Sequence, residues 1–279
     1  MTILIAGAGD LGTEVGLRFV AQGEHVVAVR RRADLLPAAL DSVSLDLRSD
    51  RLVVPPDTTV IVVALTAGER SPEAYRATYV DGLAAVLDAV DASEADPRIL
   101  LVSSTAVYGV DDGSEVTEAT EALPSTPTAE VLLEAEVLLN RRAAHPVVVR
   151  VGGIYGPGRE FLIDQVRSGA SSVPEASPFT NRIHRDDIAA ALVHLAGLEA
   201  APPLVLAVDD EPARLGDVFR FLAAELQVAP PDETRKELRG AGDKRISNAL
   251  LRSTGFRFVY PTFREGYRAV LAGEGIRHP

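Results

Sequence analysis

The sequence predicts an α/β protein: a doubly wound parallel sheet with a smaller C-terminal lobe. Three observations carry that prediction. Strand-like and helix-like segments alternate through the first half of the chain. Most of the strand-like segments are near-continuous apolar runs, as strands covered on both faces are. A glycine-rich turn joins the first strand to the first helix.

The elements follow in order. TILIA (2–6) is the first strand, and a helix runs from the glycine turn to about Gln22. HVVAVR (25–30), SVSLDL (42–47) and TVIVVAL (59–65) are the second, third and fourth strands. PEAYRATYVDGLAAVLDAV (72–90) has the length and composition of a long helix, and RILLVSST (98–105) is the fifth strand. In TPTAEVLLEAEVLL (126–139) Ala, Leu and Glu dominate and nothing breaks the helix after Pro127. Val131, Leu132, Ala135 and Leu139 fall at helical spacing and face a core. PVVVRVGG (146–153) is the sixth strand. Beyond it Gly, Pro and Ser cluster in YGPGRE and SGASSVPEASP. A helix over 185–197, a strand over 203–208 and a helix over 215–228 come next. The chain closes with a helix, a break at Gly255–Pro261 and a last helix. The expected division is a nucleotide-type domain over 1–152 plus about 179–200. The smaller lobe then takes 153–178 and 201–279.

With 279 residues, 47% of them hydrophobic, the chain can bury a sizeable core. Forty acidic against 28 basic side chains give a net charge of −12, which argues against a nucleic-acid partner. The absence of Cys excludes disulfides, thiolate nucleophiles and Cys-ligated metals. The five His, at 25, 145, 184, 194 and 278, match no metal-binding spacing, so no metal is expected. MTILIAG enters a strand directly, without the features of a signal peptide. No apolar run approaches the roughly 18 residues of a membrane span. A cytoplasmic protein without a membrane partner is expected.

Gly7-Ala8-Gly9-Asp10-Leu11-Gly12 is a G-x-G-x-x-G motif between a strand and a helix, inside a β-α-β unit, which is the Rossmann-type dinucleotide signature. Gly7 permits the tight turn, Gly9 lets backbone approach a pyrophosphate, and Gly12 lets helix pack on strand. The pyrophosphate then lies at the helix N-terminus. NAD sites carry an acid at the end of the second strand for the ribose 2′-hydroxyl. Here Arg30-Arg31-Arg32 stand there and the next acid is Asp34. Guanidinium groups bind a 2′-phosphate, so the sequence favours NADP over NAD. A solvated basic turn is the alternative. Asp46, in SLDL, suits either an adenine contact or the capping of the following turn.

The fifth strand ends in Ser103-Ser104-Thr105, followed by Val107-Tyr108-Gly109. GAGDLG, LDL, SSTAVYG, GGIYGPGR (152–159) and IHRDDIAAAL (183–192) occur in one order over about residues 3–192. Together they resemble the extended short-chain dehydrogenase/reductases, the epimerase/dehydratase-like branch. The tail KRISNALLRSTGFRFVYPTFREG is similar to that family as well. The resemblance implies cofactor contacts from Gly7, Gly9, Asp10, Leu11 and Gly12, from Arg30 and Arg31, and from Asp46 and Leu47. It adds Ala64, Leu65 and Thr66 after the fourth strand and Ser103 after the fifth. It also implies a small-molecule substrate, sugar-like or nucleotide-linked, and a monomer or homodimer. Family dimers use helices matching 72–90 and 128–143, and the Glu130, Glu134 and Glu136 face opposes that contact.

The family's Tyr-x-x-x-Lys pair is missing. Ser104 takes the Ser/Thr position, but Thr128 and Leu132 stand where the phenol and ammonium belong. The only lysines are Lys236 and Lys244, and none of the six Tyr has a Lys four residues on. A Lys beside a phenol lowers its pKa toward working pH, whereas an alkanol without a base exchanges protons poorly. The chain is therefore identified as an atypical member. The replacement candidates are Tyr108, Tyr155 with Arg159 four residues on, and His184. Each carries a structural alternative: packed aromatics for the tyrosines, a loop-fixing hydrogen bond for the histidine. Asp186 and Asp187 read as helix N-caps. Arg235, Lys236, Arg239, Lys244 and Arg245 form a basic run that is either a substrate-phosphate contact or a solvated loop. Two functions remain: an oxidoreductase, epimerase or dehydratase, and a non-catalytic NADP-binding sensor or scaffold.

Overall fold

The structure, a computed structural model, describes residues 1–174, 177–234 and 242–279. Its centre is a seven-stranded sheet of β1 (Thr2–Ala6), β2 (His25–Arg30), β3 (Asp41–Ser44), β4 (Thr58–Val63), β5 (Arg98–Ser104), β6 (His145–Val151) and β7 (Leu204–Ala207). All neighbours pair parallel, in the order β3-β2-β1-β4-β5-β6-β7. The order reverses between β1 and β4, which opens a crevice beyond the carboxyl ends of those strands. Ala6 lies opposite Val29 and Val63, and Ser104 opposite Val151. The glycine turn, the arginine run, Ala64–Thr66 and the serines therefore leave the sheet at one edge.

Every β1 position is buried because helices cover both faces. Ile3 and Ile5 point into one core with Val15 and Phe19 of α1 (Asp10–Ala21) and Ile188 and Leu192 of α6 (Arg185–Gly197). Leu4 and Ala6 point into the other, with Leu83, Val86 and Leu87 of α3 (Asp81–Asp91) and Ala135 and Leu139 of α4 (Pro127–Arg142). This double burial explains the absence of polar alternation.

The segment expected as one helix over 72–90 is interrupted. α2 (Pro72–Tyr75) passes through a π turn at Arg76–Val80 before α3 begins. Tyr75 and Tyr79 lie with ring centroids 5.1 Å apart where the segment packs on α4. β3 is shorter than SVSLDL: Leu45 leaves the sheet, although its amide still reaches the Arg30 carbonyl at 3.1 Å.

The smaller lobe holds α5 (Phe161–Arg167), α7 (Leu215–Leu226) and α9 (Phe263–Leu271), packed through Leu162, Val166, Val218, Phe219, Phe263 and Tyr267. Short strand pairs stitch it to the sheet, among them 153–155 with 182–184 and 179–180 with 213–214. The division between lobes departs from the expected one. Residues 204–207 are the seventh strand of the main sheet, and α8 (Ala249–Ser253) packs on that strand with Leu251 in the main core.

Asp186 and Asp187 lie in the first turn of α6 and do not cap it. His184 caps it instead, its Nδ1 accepting from the Asp186 amide at 3.2 Å. Asp187 is fully buried and accepts from the Val259 and Tyr260 amides at 2.8 and 2.9 Å. It fastens the Gly255–Pro261 break to the main domain. Among the described residues no helix is long and apolar enough to cross a membrane.

Candidate active site

A continuous cleft runs along the carboxyl edge of the sheet in three stretches. The first, about 340 Å³, is bordered by Arg30, Arg31, Arg32, Asp46, Leu47 and Gly7. It shares Gly9, Ala64, Leu65 and Thr66 with a stretch of about 1250 Å³ that continues past Asp10, Leu11, Gly12 and Ser103. That stretch shares Ser104, Gly152, Arg159 and Lys244 with a third, about 660 Å³, which enters the smaller lobe. The cleft thus gathers every cofactor-contact residue expected from the sequence.

The turn at its centre requires its glycines. Gly7 has φ +94°, and a Cβ there would stand 2.7 Å from the Ala64 carbonyl oxygen. A Cβ on Gly12 would collide with the Gly7 carbonyl oxygen. A Cβ on Gly9 meets nothing within 4 Å, so it would project into the space a pyrophosphate needs. No side chain caps α1, which leaves its first-turn amides for an anion. Asp10 places a carboxylate beside them. It is neutralised by Arg159 and Arg185, each at 2.7 Å, and also accepts from the His278 amide at 3.1 Å. Arg159 is therefore committed to Asp10 and does not serve Tyr155 as expected.

At the arginine end, none of Arg30, Arg31 and Arg32 pairs with an Asp or Glu side chain among the described residues. Arg30 donates to the Pro279 carbonyl at 2.8 Å, and burial followed by its Arg32 and Arg31 neighbours lowers its pKa. Asp46 accepts from the Arg48 amide at 3.1 Å and its guanidinium at 2.7 Å, which holds its carboxyl at about 2. It caps its own turn, on the cleft wall. The residues present thus fit a dinucleotide.

At the end of β5, Ser104 accepts from the Ala106 amide at 3.2 Å and leaves its O–H free for the cleft. Ser103 points inward and donates to Glu136 at 2.5 Å. Glu136 does not join an outer acidic face on α4. It is 3% exposed and grips Arg150 of β6 at 2.6 Å. Burial alone would lower the Arg150 pKa, and the Glu136 carboxylate overrides it. Arg150 also donates to the Tyr108 hydroxyl at 2.5 Å. Tyr108 is 1% exposed, and burial pushes its phenol up despite Arg150. It belongs to a buried network rather than to a proton path. Glu136 sits on the same helical stripe as Leu132 and Leu139, and Arg150 interrupts an apolar strand. Those two misplaced charges were the available sequence signal.

Tyr155 and His184 are likewise structural. Tyr155 is 1% exposed and stacks on Tyr267 at 4.3 Å, and burial raises its phenol far out of working range. His184 lies between Tyr155 and Tyr260 and borders none of the three stretches. Burial holds its imidazole down at about 4, so it stays neutral as a cap. Thr128 and Leu132 do line the large stretch, but they carry no group that titrates. Lys244, read within a basic run, is instead buried in the cleft wall, and Arg245 donates to the Gly113 carbonyl at 3.0 Å. Arg235, Lys236 and Arg239 lie outside the described residues.

The fold and this cleft define a dinucleotide-binding α/β protein. The model of the NAD dependent epimerase/dehydratase family matches residues 3–202, and the chain belongs to that family. A solved structure from Methylobacillus flagellatus, provisionally described as an NAD-dependent epimerase/dehydratase, is 33% identical over 98% of both chains, with a TM-score of 0.80. A functionally unknown conserved protein from Silicibacter pomeroyi is 24% identical over 99% of both, with a TM-score of 0.79. MoeE5 in complex with UDP-glucose and NAD is 21% identical over 96% of both, with a TM-score of 0.80. Among curated proteins none matches.

Two outcomes follow from the buried groups. Glu136→Ala strands the Arg150 charge and should lower unfolding stability by about 3–5 kcal/mol in urea titrations. Replacing both partners, Glu136→Leu with Arg150→Met, should recover most of that loss. A loss below about 1 kcal/mol in the single variant would refute the pair's role. For His184 the folded pKa lies below the unfolded value of about 6.5. Protons then favour the unfolded chain as pH falls from about 6.5 to about 4, and about 3 kcal/mol is lost across that window. His184→Asn keeps a capping acceptor and should lack this component when melting is compared across pH.

Proposed function

We propose that the protein is an NADP-dependent enzyme of oxidoreductase, epimerase or dehydratase type acting on a sugar-like or nucleotide-linked substrate. The observation that carries this is the continuity of the cleft. It leads from guanidinium groups that have no Asp or Glu partner among the described residues, past uncapped helix amides, to the Ser104 hydroxyl and on into the smaller lobe. The α1 amides hold the cofactor's pyrophosphate, and Arg30 and Arg31 the 2′-phosphate of its adenosine ribose. Leu47, Ala64, Leu65 and Thr66 wall the nucleotide. A bound nicotinamide supplies hydride exchange. Ser104 donates a hydrogen bond to the substrate oxygen and fixes it for that exchange. The stretch of about 660 Å³ is roomy enough for a sugar and lies beside Ser104. Solved relatives holding UDP-glucose or UDP-glucuronic acid with NAD support the substrate class, and the arginine run separates this chain's cofactor preference from theirs.

The second reading, a non-catalytic NADP-responsive sensor or scaffold, is favoured by Thr128 and Leu132 alone. Fluorescence titration should give NADPH at least tenfold tighter than NADH, about 1.4 kcal/mol, with the preference gone in Arg30→Ala/Arg31→Ala. Equal affinities in the wild type would sink the arginine argument. In a panel of sugar-linked carbonyl and alcohol substrates, Ser104→Ala should keep NADPH binding and lose roughly 100-fold in turnover. No turnover by an NADPH-binding wild type would favour the sensor.

A further inference from the structure

Lys244 is the one lysine among the described residues. Its side chain is 7% exposed, and its Nζ donates to the Tyr108 carbonyl at 2.8 Å. No carboxylate lies within ion-pair reach of it among the described residues. An ammonium has three N–H donors, and among the described residues this bond uses one of them. The group borders both the large stretch and the lobe stretch of the cleft, at the seam that also holds Ser104 and Arg159.

The chain around it is fastened from both sides. The Asp243 carboxylate accepts from the Phe179 amide at 2.7 Å and from Arg214 at 3.0 Å. Asn181 donates to the Lys244 carbonyl at 3.0 Å and accepts from the Ile246 amide at 2.8 Å. Arg245–Ile246 pairs with Glu115–Val116. Gly242, at φ +62°, keeps clear a position where a Cβ would stand 2.9 Å from the Nζ.

The geometry points to Lys244 as the group that exchanges a proton with the substrate oxygen, in the place left by Thr128 and Leu132. This rests on the enzyme reading above and deepens it. In the reductive direction the substrate carbonyl carbon gains a hydride from the reduced nicotinamide, and its C=O π pair moves onto oxygen. One N–H bond of Lys244 breaks and that proton completes the alcohol. The neutral amine regains a proton from solvent, and oxidation runs through the same groups in reverse. Burial supports the role, since it lowers the amine's pKa and is the one cause acting on it. The charged groups along the two stretches are Asp10, Arg70, Asp111, Arg159, Arg182 and Asp243. Asp10 and Arg159 neutralise each other, and Asp243 is taken by Arg214. The phenols there are Tyr75, Tyr79, Tyr108, Tyr155 and Tyr267.

The test uses full-length protein carrying Lys236→Arg and labelled with ¹³Cε-lysine, so that one side-chain signal reports Lys244. That signal should titrate below the ordinary lysine value of about 10.4 and shift on adding NADP⁺. Turnover in the reductive direction should fall as pH rises through the same midpoint, because the donor must be protonated. Lys244→Arg keeps the charge and a donor but does not release a proton. It should bind NADPH within about twofold of wild type and lose at least about 100-fold in kcat. Should arginine not fit, Lys244→Ala, shown folded by its melting transition and NADPH titration, should regain turnover with added ethylamine. Ordinary titration of the signal, Lys244→Arg within about threefold of wild type, or a folded Lys244→Ala without amine rescue would each overturn the assignment. A wild type that binds NADPH and turns over nothing defeats the enzyme reading and this one together. An active wild type beside an active Lys244→Arg defeats this one alone.

Discussion

The ion pair between Glu136 and Arg150 is the constraint on which the active edge of the sheet depends. Two charges removed from water survive only when geometry and further hydrogen bonds offset their desolvation. Here Ser103 supplies a bond to the carboxylate and Tyr108 accepts one from the guanidinium. The pair joins α4 to β6, Ser103 joins it to β5, and Tyr108 joins it to the loop that follows. The register of α4 against the sheet is therefore set beneath the cleft by charge, where an apolar contact would tolerate sliding. Ser104 inherits its position from that arrangement, as the next residue along β5.

A second set of charges holds the lobes together around the glycine turn. Asp10 lies at the start of α1, where it would repel a pyrophosphate if left alone. Arg159 from the region after β6 and Arg185 from α6 take up its charge. The tail adds to the same knot: His278 meets Glu14 at 2.9 Å, and Arg277 donates to the Gly158 carbonyl at 2.9 Å. A chain with a net charge of −12 thus concentrates guanidinium groups around its one anion-receptive turn. Such a local inversion of charge is how an acidic protein can present a favourable field to an anion.

What the sequence revealed and what it concealed divide along a physical line. β1, β2 and α6 were legible because burial on a sheet or a helix stripe writes itself into consecutive residues. The glycine motif was legible because each glycine answers a steric demand within a few residues. The π turn at Arg76–Val80 was not, since it arises where α2 meets α4 and leaves no local signature. Glu136 was assigned outward because charge ordinarily goes to solvent, and its partner lies on another element. Tyr155 and His184 have the chemistry of catalytic groups, and only their burial, Tyr155 against Tyr267 and His184 against Tyr260, removes them from that role. Lys244 was concealed most deeply. Its acceptor is 136 residues away, so a buried lysine looked like one member of a solvated run.

The loss of the Tyr-x-x-x-Lys pair is intelligible in these terms. A phenol at 128 and an ammonium at 132 would place a cation on the face of α4 that looks into the cleft, one turn from Glu136. In this chain the Glu136 carboxylate already serves Arg150, and Leu132 packs beside Tyr108, Val116 and Ile246. A lysine in that apolar setting would be buried without a partner. The helix surface has been given over to packing, and the cleft's ammonium comes from Lys244, immediately before the strand that pairs with Glu115–Val116. Its carbonyl acceptor belongs to Tyr108, whose hydroxyl is held by Arg150. The buried network thus also reaches Lys244 through Tyr108, beside the helix face where the usual pair would stand.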